Sequence, residues 1–426
     1  MTRSVSYMSS RFTLTCIRCS RSVDLYQRTL KCVNCGGQLI VNYNYEAIRE
    51  SVSKIFNRQI STMWKYAPLL PLLSHNHIVS LGEGGTRLLK ATNLARHLGM
   101  KNLFLKVEAW NPTGSHKDRQ ISLATSRAVE LGYRVAVTSS SGNVGASMAA
   151  YTSKAGIKGI VFVPRVAPGE KLIQIAMYGA HVSVVDTTSN IKVVELVSRL
   201  VQELGLYNMV TAGPENPYTL EGGRTIAFEI FEQMESLPEV VVTPVGGGGL
   251  IASVWKGFSD LLELGLIRRD EIPRLVGVQA DGCAPFVRAI REGWSVEKTL
   301  ETPWKDIRTI CTAIADTIPL DASVALEAVR KSGGTAISVS DDETIEAGMW
   351  LSSMEGVFAE PSSNTCIAAL KRLVEDGWIE SNDSVVALVT GAGFKDLHTA
   401  RRIVKPVHKI EPSFEEMKRL ALDLIR

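Results

Sequence analysis

Residues Asn111–Gln120 read NPTGSHKDRQ, and they follow a short apolar run, NLFLKVE, at positions 102–108. The apolar run predicts a strand, the Gly114-Ser115 pair predicts a turn, and the residues after the turn predict the start of a helix. In parallel α/β sheets, ligands bind at the carboxyl ends of the strands. Lys117 could be an ordinary exposed helix lysine, but its place directly after this turn favours a functional site.

The rest of the chain alternates between two hydrophobic patterns. Short apolar runs rich in β-branched residues predict strands, and longer stretches with apolar residues at helical spacing predict helices between them. The strand-like runs are RVAVTSS, KGIVFVP, HVSVVD, EVVVTPV, RLVGVQA and SVVALVT, and two of the helical stretches are NIKVVELVSRLVQELG and GLIASVWKGFSDLLELG. Strands that alternate with helices build parallel sheets with helices on both faces. The sequence therefore predicts an α/β fold whose loops after the strands carry the chemistry.

Composition and charge limit the possible classes of protein. The 426 residues, 45% of them apolar, are enough for two or three domains with cores of their own. No window approaches the roughly 18 consecutive apolar residues of a membrane helix, so no contact with a membrane is expected. The net charge is +3, and residues 1–45 hold six Lys and Arg against one acid, which leaves 41 bases and 43 acids in the remainder. This balance argues against a protein that mainly binds nucleic acid.

The N-terminus bears on localisation. The stretch MTRSVSYMSSR is rich in Ser and Arg and resembles the start of an organellar presequence. A cysteine pair that begins at Cys16 leaves little room for a presequence, and the stretch lacks the apolar core of a secretory signal. We therefore expect a cytoplasmic protein.

Four of the seven cysteines form two C-x-x-C pairs separated by twelve residues: Cys16, Cys19, Cys32 and Cys35. Each pair can direct two thiolates at one tetrahedral ion, and two pairs complete a four-cysteine zinc shell with no open position. The sequence predicts a structural zinc ribbon, whose folding depends on the metal because so short a segment cannot bury a core. Disulfides are the alternative, and a cytoplasmic location disfavours them. The basic surplus of the ribbon could contact nucleic acid, although small ribbons are often basic without such a role.

Two further loops are unusual. Four glycines at 246–249 follow a strand-like run and precede an apolar helix, so successive backbone N–H groups can surround an anion such as a phosphate. The loop is not a Walker A motif, because no Gly-Lys-Ser/Thr follows. The second loop, SSSGNVG, spans 139–145. A lysine near a bound phosphate could be its counter-ion, or it could form a Schiff base with an aldehyde cofactor.

These motifs together resemble those of the fold type II pyridoxal-phosphate enzymes. NPTGSHKDR, SSSGNVGAS, the tetraglycine loop, LEGGRTIAFE and VTGAGFKD occur in the same order and at similar spacing. Within that group, SLGEGGT at 80–86, MWKY at 63–66, FAEPSS at 358–363 and the cysteine ribbon look like the threonine synthase family. The resemblance covers about residues 14–400 and implies a tryptophan synthase β-like fold, with two open parallel-sheet domains and the cofactor between them.

The resemblance implies roles in holding pyridoxal 5′-phosphate. Lys117 matches the lysine that binds the cofactor covalently and then transfers protons as general base and acid. Asn143 matches the asparagine beside the 3′ oxygen of the cofactor. Thr390 matches the hydroxyl residue beside the pyridine nitrogen, which would leave that nitrogen unprotonated and the ring a weaker electron sink. The cradle of the cofactor phosphate is matched by Gly246, Gly247, Gly248 and Gly249.

The resemblance also implies a substrate site. The loop that holds the substrate carboxylate is matched by Ser140, Ser141 and Gly142. Glu83 and Glu221 match family positions too, although each could equally be a structural acid. The implied domains are a zinc ribbon at 1–45, a large cofactor domain at 46–112 and 218–426, and a small mobile domain at 113–217.

The sequence departs from the threonine synthase pattern in several positions. Residues 115–120 read SHKDRQ where the family usually has SFKDRG, and the phosphate loop is all glycine where the family has an asparagine. The arginine that commonly precedes LEG is Thr219, and the glutamine of LEGQKT is Gly223. Loss of that arginine would remove a charge-assisted contact to the phosphate of a substrate. The reaction class is therefore better determined than the substrate.

Some residues keep two interpretations. Arg224, Arg119 or Lys171 are candidates to replace the missing phosphate contact. His116 is either a second acid or base beside Lys117 or a packing residue, and we favour packing.

Three functional hypotheses follow. The first is a lyase that converts O-phospho-L-homoserine to threonine, and the second is a related serine/threonine dehydratase or a β-replacement enzyme such as a cysteate or cysteine synthase. The third is a protein without turnover that binds a ligand or nucleic acid through its basic ribbon. The expected partners are a small, phosphorylated amino-acid substrate and a second copy of the chain, since family members are commonly homodimers.

Overall fold

The structure is a computed structural model and describes residues 11–167, 169–401, 404 and 409–425. Its strands, in chain order, are β1 (Phe12–Cys16), β2 (Ser22–Val23), β3 (Leu39–Tyr43), β4 (Leu88–Lys90), β5 (Asn102–Val107), β6 (Val135–Thr138), β7 (Lys158–Pro164), β8 (His181–Val185), β9 (Tyr207–Asn208), β10 (Val240–Pro244), β11 (Arg274–Ala280), β12 (Thr335–Val339) and β13 (Ser384–Val389). All the strand-like runs of the sequence are confirmed as strands.

Helices connect these strands and flank the sheets. The α-helices span Tyr45–Arg49, Val52–Ile55, Thr92–His97, Lys117–Glu130, Asn143–Ala155, Gly169–Met177, Asn190–Leu204, Thr219–Gly223, Thr225–Gln233, Gly249–Glu263, Pro285–Arg291, Val296–Glu301, Ala322–Lys331, Asp341–Glu355, Pro361–Glu375, Leu397–Arg401 and Phe414–Ile425. Short 3-10 helices span Met63–Leu69, His75–His77, Glu108–Trp110, Arg269–Glu271, Thr312–Ile314 and Gly393–Lys395.

The larger sheet has the strand order β12-β11-β10-β13-β5-β4, and it is parallel except for β4, which pairs antiparallel with β5 at the edge. Its central strands are mostly apolar and buried because both faces of the sheet are covered, as is typical of parallel sheets. Val241 packs on one face with the helix Gly249–Glu263. Val240 and Val242 pack on the other face with the helix Pro361–Glu375.

The smaller sheet is formed by the part of the chain between β5 and β10. Its order is β8-β7-β6-β9, and all its strand pairs are parallel. Two parallel sheets, each with covering helices, confirm the predicted fold class. The domain boundaries given above stay a prediction.

The N-terminal ribbon is an antiparallel sheet of order β2-β1-β3 that packs on the smaller sheet. Leu14 and Val41 of the ribbon share one core with Met148 and Tyr207. Basic residues of the ribbon make contacts within the chain: Arg28 lies 4.4 Å above the Tyr133 ring, and Lys31 Nζ lies 2.7 Å from Glu215 Oε1. These contacts account for part of the basic surplus without any nucleic acid.

A buried ion-pair network fixes the start of the helix Lys117–Glu130. Arg119 pairs with Glu108 (Nε to Oε2, 2.7 Å) and with Glu229 (Nη1 to Oε1, 2.6 Å), and Lys106 Nζ lies 2.6 Å from Glu229 Oε2. These four side chains are fully buried. Burial alone would raise the pKa of Glu229, but Arg119 and Lys106 lower it to about 2. The network therefore joins this helix to β5 and to the helix Thr225–Gln233 as ionised pairs.

Of the helices in the described part of the chain, none combines the length and the apolar character that a bilayer-spanning segment requires.

The buried network predicts a large cost for removing its shared cation. We expect Arg119→Leu to lower the free energy of unfolding by about 3–5 kcal/mol, because Glu108 and Glu229 would then be buried without their partner. Urea unfolding measures this loss. The matched control is Arg268→Leu, which removes an ion pair between exposed side chains and should cause no resolvable change. Equal effects of the two substitutions would contradict the role given to the network.

Candidate active site

Lys117 lies in a cleft between the two larger sheets. The turn before it contains Gly114, whose φ of +84° favours glycine, and the N–H of His116 donates to the Thr390 carbonyl at the end of β13 (2.9 Å). The helix begins at Lys117 itself. Its Nζ donates to Thr211 Oγ1 (3.1 Å), in the segment that follows β9. The lysine thus reaches from the larger sheet toward the smaller one.

The surroundings of Lys117 favour its neutral amine. Burial lowers the pKa of Lys117, and the carboxylates of Asp316, Asp321 and Glu360 partly oppose this shift. An amine that loses its proton readily can attack a carbonyl carbon and can then accept a proton from a substrate. The position therefore suits a nucleophile and general base.

The tetraglycine loop connects β10 to the helix Gly249–Glu263, as the sequence predicts. Gly248 has a φ of +92°. A Cβ on Gly246 would lie 2.6 Å from Asp316 Oδ2, and one on Gly249 would lie 2.9 Å from Asp321 Oδ2. The close approach requires glycine, and it brings the carboxylates of Asp316 and Asp321 against the loop, where the Gly247 N–H donates to Asp316. The loop leads directly into a helix N-terminus, which favours a bound anion.

Asn143 is the first residue of the helix Asn143–Ala155 and is buried. Its Nδ2 donates to both carboxylate oxygens of Glu360 (3.0 and 3.2 Å). The preceding Ser140, Ser141 and Gly142 are half-buried, and the Gly142 N–H donates to Ser140 Oγ (3.2 Å). A polar loop thus leads into a helix N-terminus, which suits a bound carboxylate.

Thr390 directly follows β13, and its hydroxyl pairs with a second hydroxyl. Thr390 Oγ1 lies 3.0 Å from Ser363 Oγ, which also accepts from the N–H groups of Thr390 (3.0 Å) and Gly391 (2.8 Å). His116 Nδ1 lies 3.4 Å from the Thr390 carbonyl oxygen. Burial, together with the charge of Lys117, lowers the pKa of His116 well below its ordinary value. A neutral imidazole packed against β13 agrees with the packing interpretation of His116.

Glu83 and Glu221 serve as buried structural acceptors. Glu83 accepts from Trp64 Nε1 (2.6 Å) and from the Tyr151 hydroxyl (2.7 Å). Glu221 pairs with Arg224 and Lys256 and accepts from the Tyr43 hydroxyl. The structural interpretation of these two acids therefore has the better support.

The three cations that could bind a substrate phosphate differ in whether they already have carboxylate partners. Arg119 is fully buried in its ion-pair network, and Arg224 is fully buried with Glu221 and Asp260 as partners. These two arginines are therefore already neutralised. Lys171 differs, because its Nζ contacts Thr312 Oγ1 (2.9 Å) and lies 3.9 Å from Asp396 Oδ2, with 22% of its side chain exposed.

Close helix packing explains one departure from the family pattern. A Cβ on Gly223 would lie 2.7 Å from Ser253 Cβ, so glutamine does not fit this position without moving the helices apart. Thr219 is fully buried and donates to the Asn216 carbonyl (2.9 Å).

The sequence did not reveal several charged or polar groups of the cleft. Asp316 and Asp321 lie in a segment without helical or strand periodicity, and Thr211 follows β9, whose two residues give no recognisable pattern. Lys395 donates from Nζ to the Thr113 carbonyl (2.8 Å) and to Gln174 Oε1 (2.9 Å). Glu360 lies within the FAEPSS motif, but the motif alone gave it no role.

The four ribbon cysteines lie together. Cys16 Sγ is 3.5 Å from Cys35 Sγ, Cys19 Sγ is 3.7 Å from Cys32 Sγ, and all four sulfurs lie within 4.8 Å of one another. A tetrahedral ion with Zn–S bonds of about 2.3 Å separates its sulfurs by about 3.8 Å, whereas a disulfide needs about 2.05 Å. The arrangement therefore fits a four-thiolate metal site.

Comparison with known proteins agrees with this geometry. Residues 79–391 match the family model described as pyridoxal-phosphate dependent enzyme. The chain is 41% identical to the threonine synthase of Methanocaldococcus jannaschii, over 96% of this chain and 99% of that protein. It is 38% identical to the threonine synthase of Methanosarcina acetivorans (91% and 93%) and 38% identical to that of Mycobacterium tuberculosis (81% and 91%).

Solved structures share the fold at lower identity. Diaminopropionate ammonia lyase from Escherichia coli matches with a TM-score of 0.65 at 18% identity, over 83% of this chain and 95% of that chain. Maize serine racemase matches with a TM-score of 0.61 at 23% identity, over 80% and 93%. Identities this low show a common fold only.

The buried carboxyl of Asp321 predicts a pH-dependent stability. Its Oδ1 accepts from the Gly213 N–H (2.8 Å), and burial raises its pKa from 3.8 to about 7. Protonated Asp321 therefore contributes stability that is fully present below the unfolded pKa and is lost as the pH rises through about 7. We expect Asp321→Asn, which keeps the oxygen acceptor, to gain stability relative to wild type between about pH 5 and about pH 8.

Urea unfolding at the two pH values measures this difference, and Asp342→Asn, on an exposed helix start, is the control. An Asp321→Asn variant whose stability follows the wild-type pH dependence would contradict the assignment.

Proposed function

Because the chain belongs to the pyridoxal-phosphate dependent enzymes and, among them, to the threonine synthase family, we propose that it converts O-phospho-L-homoserine and water to L-threonine and phosphate. The family is one of carbon–oxygen lyases, and 41% identity over 96% of the chain makes this reaction the best supported one. The observation in the chain itself that carries the proposal is Lys117, an amine of lowered pKa whose neighbours Asp316 and Asp321 contact the tetraglycine loop.

The residues of the cleft fit pyridoxal phosphate. Lys117 would bind the cofactor aldehyde, and the N–H groups of Gly246–Gly249 would hold its phosphate at the N-terminus of the helix Gly249–Glu263. Thr390 and its partner Ser363 would place a hydroxyl pair at the ring nitrogen, and Asn143 would lie at the ring edge. When bound, the cofactor supplies a conjugated ring that withdraws electrons from the α-carbon of the substrate.

Lys117 would then transfer protons. Its lowered pKa favours the neutral amine that removes the proton from the substrate Cα, and the same group returns a proton at the end. Ser140, Ser141 and Gly142, at the N-terminus of the helix Asn143–Ala155, would hold the substrate carboxylate and orient the Cα–H bond toward Lys117.

Lys171 would bind the phosphate of the substrate. Among the three cations considered, it is the one not buried in ion pairs, and it lies on the helix Gly169–Met177 opposite Thr312. A single lysine gives a less directional contact than the missing arginine, whose bidentate geometry selects phosphate.

A dehydratase of serine or threonine, or a β-replacement enzyme, is the second candidate. The observation that favours it is that Arg119 and Arg224 are both buried in ion pairs. Neither is therefore available to replace the arginine that the family commonly has at position 219. Such an enzyme would use the same Lys117 chemistry on an amino acid without a γ-phosphate.

We further propose that the cysteine cluster holds a structural zinc ion, that the protein is a cytoplasmic homodimer, and that its substrate is a small phosphorylated amino acid. The zinc proposal is supported by the sulfur distances given above. The dimer and the location follow from the family resemblance and from composition.

The decisive substrate test is to incubate the cofactor-loaded protein with O-phospho-L-homoserine and to measure inorganic phosphate and threonine together. We expect equal amounts of both, and we expect Lys117→Ala to abolish their formation because no other residue would bind the cofactor covalently. Lys154→Ala, on an exposed part of the helix Asn143–Ala155, is the control and should keep full activity. Substantial turnover by Lys117→Ala would contradict the role of this lysine.

Serine, threonine and O-phosphoserine serve as competing substrates in the same assay. Release of 2-oxo acid from these compounds, without phosphate from O-phospho-L-homoserine, would favour the second candidate over the first.

The ribbon predicts one tightly bound zinc ion per chain, measurable by elemental analysis. Cys32→Ser should lower the zinc content and the melting temperature, because a structural zinc supplies folding free energy to a segment too small for its own core. Cys366→Ser, at a buried cysteine far from the cluster, is the control for zinc content. Unchanged zinc in Cys32→Ser would rule out this site.

A further inference from the structure

The hydroxyl of Thr211 is the hydrogen-bond partner of the Lys117 amine. Lys117 Nζ donates to Thr211 Oγ1 over a distance of 3.1 Å. In the part of the chain that the structure describes, no carboxylate oxygen lies within 4.0 Å of this nitrogen. The amine that the proposed function uses as a base is therefore held by an uncharged group.

We propose that Thr211 is a further catalytic residue, whose hydroxyl holds the free amine of Lys117 and accepts a hydrogen bond from the ammonium that forms when this amine takes the Cα proton of the substrate. This inference rests on the proposed function and deepens it, because it adds a second residue at the same reacting atom.

The backbone on both sides of Thr211 fixes the position of its hydroxyl. Before it, the Met209 N–H donates to a carbonyl of β6 (2.9 Å). After it, the Gly213 N–H donates to Asp321 Oδ1 (2.8 Å). The carbonyl oxygen of Thr211 would lie 3.6 Å from a Cβ on Gly249, so this segment also lies against the tetraglycine loop. The hydroxyl therefore reaches Lys117 from a segment that is attached at three points.

An uncharged acceptor suits a group that has to gain and lose a proton. A carboxylate in hydrogen-bond contact would stabilise the ammonium and oppose its deprotonation. A hydroxyl oxygen can accept an N–H of either the neutral amine or the ammonium. Because Thr211 holds one N–H of the neutral amine, the lone pair of Nζ has fewer orientations left, which favours its alignment with the Cα–H bond.

The proton step shows where the hydroxyl lowers the barrier. The Nζ lone pair forms the new N–H bond, the Cα–H bond breaks, and its electron pair stays on the substrate. Nζ thereby becomes positively charged, and Lys117 later returns the proton. Hydrogen bonds from ionised donors are stronger than those from neutral donors. Thr211 therefore stabilises the transition state more than the state before proton transfer.

The charged and titratable groups around Lys117 act without a hydrogen bond to its amine. Burial lowers the pKa of Lys117, and the carboxylates of Asp316, Asp321 and Glu360 partly oppose this shift. His116 also faces Lys117, whose charge lowers the pKa of the imidazole in addition to the effect of burial. Replacing the hydroxyl of Thr211 leaves these groups in place and removes only the direct contact.

The first test measures exchange of the Cα proton of L-2-aminobutyrate with deuterated water, followed by NMR, in the Thr211→Val holoenzyme. This compound carries no phosphate, so its exchange reports the proton transfer by Lys117. Exchange should slow about 10-fold, because the ammonium loses one hydrogen bond. The dissociation constant of L-2-aminobutyrate, measured from the cofactor absorbance, should change by less than about twofold, because the contact is made to Lys117 and not to the substrate.

Two further variants complete this test. Thr211→Ser keeps the hydroxyl and should restore the exchange rate, whereas Thr188→Val, at an exposed threonine, should behave as wild type. An unchanged rate in Thr211→Val would overturn the proposal, and so would equal slowing in Thr211→Val and Thr211→Ser.

The pH profile of the exchange provides a second readout. The rate rises with pH as Lys117 loses its proton, and removal of the acceptor destabilises the ammonium. The midpoint should therefore move to lower pH in Thr211→Val and stay in place in Thr211→Ser. An unchanged midpoint in Thr211→Val would indicate a structural role only and would overturn the proposal.

Wild type separates this inference from the proposed substrate. If wild type exchanges the Cα proton but releases no phosphate from O-phospho-L-homoserine, the substrate assignment fails while the role of Thr211 is still decided by the variants. Absence of exchange in wild type would overturn the role of Lys117 as a base and this inference with it.

Discussion

The ion pairs of Arg119 with Glu108 and Glu229 determine where Lys117 can lie. Arg119 is two residues after Lys117, in the first turn of the same helix, and its side chain is fully buried between β5 and the helix Thr225–Gln233. Buried charges of this kind tolerate little displacement, because each pair must keep its geometry to offset the cost of desolvation. The helix therefore starts at a fixed point relative to the larger sheet, and the amine reaches the cleft without any loop that has to be ordered first.

Around that amine the cleft combines opposing electrostatic effects. Desolvation favours the neutral form of Lys117 and the neutral forms of Asp316 and Asp321, whereas their mutual attraction favours the charged forms. The buried arginines behave differently, since close carboxylates hold them permanently charged. The ion pairs of Arg119 and Arg224 thus stabilise the fold. The groups that surround Lys117 in the cleft instead have pKa values shifted by burial.

The strands and the glycine loop could be predicted from the sequence because local patterns of residues indicate them. Runs such as VVVTP and SVVALV are mostly apolar because both faces of a central strand are covered. The tetraglycine loop was recognisable because four consecutive glycines follow a strand-like run. Asp316 and Asp321 could not be found in this way, since a segment without periodicity gives no indication of what it faces. Thr211 could not be predicted either, because the strand before it, β9, has only two residues and gives no recognisable pattern. Arg224 also shows the limit: its charge suggested a ligand contact, but tertiary pairing with Asp260 gives it a structural place.

The contacts of the ribbon with the smaller sheet also affect the position of the segment that contains Thr211. Glu215 pairs with Lys31 of the ribbon and accepts from Asn208 of β9. Gln38 of the ribbon lies close to Gly213. The ribbon therefore supports the segment that contains Thr211, which contacts Lys117. Met148 and Tyr207 also complete their core with ribbon side chains. A shortened chain that begins after residue 45 would therefore lose side chains that cover the smaller sheet, together with the four-cysteine cluster. The four-cysteine cluster and the segment that contacts Lys117 are thus connected through packing.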